Sequence, residues 1–147
     1  MQIETSHFGP VEIEIDDILC FPRGVVAFED CHHWVLLADA DNASLAWLQS
    51  ITRPELALPV VSPRRFHTDY QVHVARGQLA SLEISQFDQA YVLTVVSRSD
   101  GDITLNLKAP LIVNLDRRIG RQIVTTDEQP VAFVLHRAQR ANLRKSA

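Results

Sequence analysis

The pattern that most restricts the fold is an alternation of period two, repeated in short blocks along the chain. In VEIEIDDI (11–18), Val11, Ile13 and Ile15 fall on one face and Glu12, Glu14 and Asp16 on the other. That is the pattern of a strand with one wet side and one buried side. ITLNLKA (103–109) repeats it, setting Ile103, Leu105 and Leu107 opposite Thr104, Asn106 and Lys108. HWVLLAD (33–39), AYVLTVVSR (90–98), PLIVNL (110–115), RQIVTT (121–126) and VAFVLH (131–136) are further apolar runs of strand length. Turn signals separate them: FGP at 8–10, PRG at 22–24, DADN at 39–42, RSDGD at 98–102 and DRRIG at 116–120. Short strands between polar turns predict a mostly β domain, a sandwich or a barrel.

Helical signals are few. TRPELAL (52–58) offers Thr52 as a cap and Pro54 near a helix start, with Pro59 as a stop. SQFDQAY (85–91) suggests a second short helix. Residues 1–135 therefore read as one β-rich domain. Residues 136–147, HRAQRANLRKSA, read as a basic tail, either a short helix or disordered. At 147 residues, 46% of them apolar, the chain is long enough for one sizeable core. MQIETSHFGP has no basic, then apolar, leader pattern, no apolar run approaches membrane-spanning length, and the only cysteines are Cys20 and Cys31. A cytoplasmic protein with no membrane segment is the expectation.

Charge is unevenly spread. Residues 1–63 hold ten acids against Arg23 and Arg53, a balance of −8, whereas 136–147 hold four bases and no acid. An acidic body is a poor footprint for nucleic acid and a good one for a basic partner.

Motifs that carry chemistry are sparse in the sequence. Cys31, His32 and His33 lack the second ligand pair that zinc sites use, and adjacent histidines on a strand point to opposite faces. There is no GxSxG elbow, GxGxxG or P-loop. His7, His67, His73 and His136 are isolated, and Glu12 with Glu14 reads as a solvated strand face. No catalytic residue, metal or cofactor is expected. The stretch TLNLKAPLIVNLDRRIGRQIV (104–124) invites an anion-binding reading, with Arg117, Arg118 and Arg121 around a ligand and Arg64 and Arg65 nearby. Each polar residue in it also has a structural use: Pro110 for a bend, Asn114 for shaping the turn, Gly120 for a positive φ.

Several blocks, in order, resemble the FliW family of bacterial flagellar assembly factors. They are IETSHFGPVEI, DDILCFPRGVVAFED, LAWLQS (45–50), TRPELALPVVSP (52–63), NLKAPLIVN (106–114) and RRIGRQIV (117–124). The likeness runs from about residue 2 to 125. Two departures stand out: Ala27 sits where the family usually has a second glycine, and Leu45-Ala46 replaces proline-phenylalanine. The resemblance implies a non-enzymatic protein with an antiparallel β-barrel-like fold and a few short helices. It implies binding to CsrA, a small basic RNA-binding regulator that represses flagellin translation, and competing, chaperone-like binding to flagellin. The free chain is expected to be monomeric, with no nucleic acid bound directly. Candidate contact residues in the matched blocks are Phe28, Glu29, Gln49, Ser50, Asn106 and Lys108, the 21–30 segment foremost because a large aromatic beside acids makes an anchor.

Overall fold

The structure, a computed structural model, describes residues 1–86 and 89–136. Its strands are β1 (Gln2–Thr5), β2 (Gly9–Glu12), β3 (Ile18–Cys20), β4 (His33–Ala38), β5 (Leu45–Ser50), β6 (Ala57–Val61), β7 (Ala90–Ser99), β8 (Asp102–Leu105), β9 (Leu111–Asn114), β10 (Ile119–Gln122) and β11 (Phe133–His136). A one-turn helix, α1 (Arg76–Ala80), precedes β7. The strands follow the order β7-β6-β5-β4-β3-β10-β9, and β9 returns to β7, closing a seven-stranded barrel. Its pairings are antiparallel except for β3 with β10, which meet at Cys20 and Ile119.

Closure rests on β7. Its first half, Ala90 to Leu93, pairs with β9, and its last four residues pair with β8. β8 and β9 are thus one line of chain alongside β7, interrupted at 106–110. There the chain bulges out opposite Thr94 and Val95, while the Asn106 N–H still donates to the Val95 carbonyl at 3.2 Å. Asn106 Oδ1 accepts the Lys108 and Ala109 N–H groups, each at 3.1 Å. Lys108 Nζ donates to the Thr125 and Asp127 carbonyls at 3.0 and 2.6 Å. The 104–124 stretch therefore builds the barrel seam, with Pro110 at the bend as expected.

Barrel-facing side chains form the main core: Leu19, Phe21, Trp34, Leu48, Val60, Leu93, Leu111 and Val113, all buried. Each large apolar side chain so buried contributes about 1.5–3 kcal/mol relative to exposure. Outside the barrel, the β1–β2 hairpin covers Val35 through Ile3 and Ile13. The 70–84 segment covers Ile112 and Val92 on another face through Val72, Val74, Leu79 and Leu82.

Several expected elements are redrawn by local hydrogen bonding. The 11–18 alternation does not give one strand: β2 stops at Glu12 and Ile15 stands 72% exposed. The Asp17 carboxylate accepts the Glu14 N–H at 2.8 Å and the Asp17 N–H returns to the Glu14 carbonyl at 3.0 Å, winding Ile15–Asp17 into a 3-10 turn. Residues 52–58 form no helix. The Leu56 N–H closes a turn onto the Arg53 carbonyl at 3.0 Å, and β6 then runs through Pro59. β6 meets β7 only at Val60 and Val61, so the missing N–H of Pro59 falls where one side of the strand is unpaired. β8 ends at Leu105 rather than 109, and β10 starts at Ile119 rather than 121. Within 85–91, residues 87 and 88 lie outside the described residues, as do residues 137–147 of the tail.

Candidate protein-binding surface

Turn 25–28 is closed by its own backbone and presents Val26 to solvent. The Phe28 N–H donates to the Val25 carbonyl at 2.7 Å, and the reverse bond is 3.4 Å. Gly24 has φ +66, and a Cβ there would lie 2.5 Å from Glu29 Cα, so only glycine fits. Ala27, at the position the sequence marked as a lost glycine, nonetheless takes φ +75. Left-handed backbone costs an alanine about 1–2 kcal/mol. The strain is held by neighbours: the Val26 N–H donates to Gln122 Oε1 at 2.8 Å, and the Ala27 N–H to Glu29 Oε1 at 3.3 Å. Val26 projects at the tip, 64% exposed, with Glu29 and Asp30 exposed beside it. Phe28 is half-buried against the barrel core, and the Arg53 guanidinium lies 5.7 Å from its ring centroid.

Of the six residues expected from sequence, the structure brings Phe28 and Glu29 together on this turn, buries Gln49 and Ser50, and leaves Asn106 and Lys108 half-buried in structural hydrogen bonds. Gln49 is completely buried. Its Nε2 lies 3.0 to 3.4 Å from the carbonyl oxygens of Ser50, Arg53, Pro54 and Leu56, and its Oε1 has no partner. Ser50, equally buried, accepts the Arg53 N–H on Oγ at 3.1 Å. Together they shape the turn from β5 into β6. Asn106 and Lys108 hold the seam described above.

The arginines do not converge. Arg118, with φ +58, forms an ion pair with Asp16. Arg121 Nη1 donates to Ser81 Oγ at 3.1 Å, and the Arg117 N–H caps onto Asn114 Oδ1 at 3.3 Å. Arg64 Nε binds the Tyr70 carbonyl at 2.9 Å. The basic turn thus serves separate neighbours. Gly120 does not supply the turn's positive φ, which falls at Arg118. Its lack of a side chain serves packing instead, since a Cβ there would lie 2.4 Å from the Phe21 ring.

A groove of about 580 Å³ lies between the 62–74 segment, α1 and the start of β7, floored by Val72, Val74, Leu79, Ile84, Val92 and Ile112. At its rim His73 Nδ1 lies 3.2 Å from Asp127 Oδ2. A hydrogen bond from Gln129, reinforced by His73, holds the Asp127 carboxyl below its ordinary range. Tyr70 beside it is buried and donates to the Leu107 carbonyl at 2.8 Å. Burial first, and then the charge of Asp127, raise its phenol to about 12. No three metal-ligating side chains come together among the described residues, and no described helix is long and apolar enough to cross a membrane.

Sequence reasoning missed the exposed apolar groups. Besides Val26, Ile15 and Leu115 reach solvent from turns where the alternation implied burial or gave no signal. Glu12, Glu14, Asp16, Asp17, Glu29 and Asp30 are all exposed. Glu12 lies on the β1–β2 hairpin outside the barrel, and the other five divide between its two rims, because β3 runs from the turn at 14–17 to the loop at 21–31.

Comparison with known proteins gives one consistent answer. The family model described as FliW protein matches residues 2–133. The flagellar assembly factor FliW of Natranaerobius thermophilus is 37% identical over 127 residues, covering 84% of each chain. That of Bdellovibrio bacteriovorus is 38% identical over 129 residues, 86% of this chain and 74% of the other. A crystal structure of the flagellar assembly factor FliW superposes with a TM-score of 0.85 at 25% identity, covering 95% of this chain and 99% of that one.

Proposed function

The chain belongs to the FliW family of flagellar assembly factors, and we propose that it works by binding proteins rather than by catalysis. On this reading it docks on a CsrA-type regulator in the cytoplasm, blocks that regulator's RNA binding and so relieves repression of flagellin translation. Flagellin competes for it, and the free protein is a monomer. The observation that carries the reading is the surface charge: six carboxylates between residues 12 and 30 stand exposed, and among the described residues Asp16 is the one of them with a close arginine partner, while Glu12 meets the N-terminal amine at 3.3 Å.

A mechanism follows without a reacting group. RNA affinity rests heavily on phosphate contacts. An acidic surface set beside the regulator's RNA-binding face opposes phosphates, and like charges brought together across an interface cost several kcal/mol. Phe28 and Glu29 on the strained turn are the proposed contact residues, with Phe28 as the apolar anchor and Val26 beside it. The buried Gln49 and Ser50 and the half-buried Asn106 and Lys108, tied up in structural hydrogen bonds, support the barrel rather than touching the partner.

The test is displacement of a labelled leader RNA from the regulator. The protein should release RNA as it is titrated in. A variant with Glu12, Glu14, Glu29 and Asp30 changed to lysine should release it much less effectively. Equal release by the variant would remove the electrostatic part of the mechanism.

A further inference from the structure

The barrel rim opposite turn 25–28 carries a second, separate surface. β3 and β10 begin there and β9 ends there, so the turns at 14–17 and 115–118 lie side by side, joined by the Arg118–Asp16 ion pair. Between them a cleft of about 200 Å³ is lined by Asp16, Asp17, Leu19, Leu36, Leu115 and Arg118. Its floor is apolar: Leu19 is a buried member of the barrel core and Leu36 packs against that core. Leu115 stands 48% exposed at the cleft, and Ile15, 72% exposed, adjoins Asp16 in the neighbouring turn.

Large apolar side chains held in water on two short turns carry a free-energy cost that burial under a partner removes. Neither turn can hide them alone. Ile15 is turned outward by the Glu14–Asp17 hydrogen bonds, and Leu115 follows Asn114, whose amide is tied to the Leu82 carbonyl at 3.0 Å. Both positions are fixed by structure that does not use the apolar side chain itself.

Charge selects the occupant. Around the cleft stand Glu14, Asp16, Asp17 and Asp116, with Asp39 and Asp41 on the adjoining β4–β5 turn. Arg117 and Arg118 oppose them, Arg118 already paired with Asp16, and Arg65 lies beyond the 39–44 turn with its guanidinium on Ser44 Oγ at 3.4 Å. The rim stays acidic after these are counted. We infer that this cleft is a docking surface for a basic amphipathic protein segment, one that inserts a large aliphatic side chain beside Leu115 over Leu19 and Leu36, with Ile15 on the neighbouring turn adding apolar surface, while flanking Lys or Arg residues meet the carboxylates. Resting on the function proposed above, this gives the basic regulator a second contact region, the 14–17 and 115–118 rim, in addition to turn 25–28.

The test is calorimetric titration of the same organism's CsrA into the full chain and two variants. The double variant Ile15→Ser, Leu115→Ser removes the apolar rim, and Val131→Ser removes a similarly exposed apolar side chain from the segment before β11. All three positions are well exposed, so melting temperatures should agree and report intact folding. At least tenfold weaker binding by the double variant, with Val131→Ser close to wild type, is the expected result, and added salt should weaken wild-type binding. Equal binding by the double variant and wild type overturns this surface while leaving the proposed function standing. Absence of binding by the wild-type chain overturns both.

Discussion

The ring of Phe21 packs against the Cα of Gly120, so closely that a Cβ at that position would lie 2.4 Å from the ring carbon Cζ. Phe21 is fully buried at the end of β3, and Gly120 is in β10, so this contact sits beside the parallel join that closes the barrel. Gly120→Ala should therefore destabilise the fold by about 1–3 kcal/mol, the usual cost of overpacking a filled core. Urea unfolding measures it. An unchanged midpoint would mean that the ring moves aside freely.

Ala27 supplies the opposite case. Its φ of +75 is a conformation in which glycine carries no Cβ penalty. Ala27→Gly should raise stability, by up to about 1 kcal/mol once the extra freedom of glycine in the unfolded chain is subtracted. The same urea experiment reads the sign, and a loss of stability would contradict the backbone geometry of turn 25–28.

Gln49 separates support from contact. Leucine at this position would leave the carbonyls around Nε2 without that donor, at a cost of about 1–3 kcal/mol. Gln49→Leu should lower the melting temperature, while the affinity of the protein that remains folded for its partner stays near wild type. A lost affinity with an unchanged melting temperature would make Gln49 a contact residue.

Tyr70 gives a prediction in pH. Its phenol is raised to about 12 by burial, with the charge of Asp127 adding to it. An acid whose folded pKa lies above its unfolded value of about 10 contributes stability in full below pH 10. That contribution disappears as the pH climbs toward 12. In a Tyr91→Phe background, which leaves Tyr70 as the sole tyrosine, phenolate absorbance should rise near pH 12 or together with unfolding. A transition near pH 10 in the folded protein would contradict the burial.

The β character was legible because short apolar runs bounded by polar turns report strands, and β4, β7 and β11 fall close to such runs. Where local side-chain bonds compete with the ladder, the pattern misleads. Asp17 turns 14–17 out of register, and Asn106 folds 106–109 into a bulge although its alternation continues. Closure was not legible, since it depends on β7 pairing with both β6 and β9, and on Cys20 meeting Ile119 across about a hundred residues. The binding surface was legible only in part. Exposed acids can be counted in a sequence, but Gln49 looks as polar as Glu29 until the carbonyls of Arg53, Pro54 and Leu56 are seen around it.

The central claim is that this barrel acts by exchanging protein partners. The most direct test is calorimetric titration of the wild-type chain with its own organism's CsrA, repeated with the chain already saturated by purified flagellin. The account predicts saturable binding in the first titration and its loss in the second. Binding of CsrA at full strength to the flagellin-saturated chain would contradict the exchange, and no heat of binding with either protein would contradict the function itself.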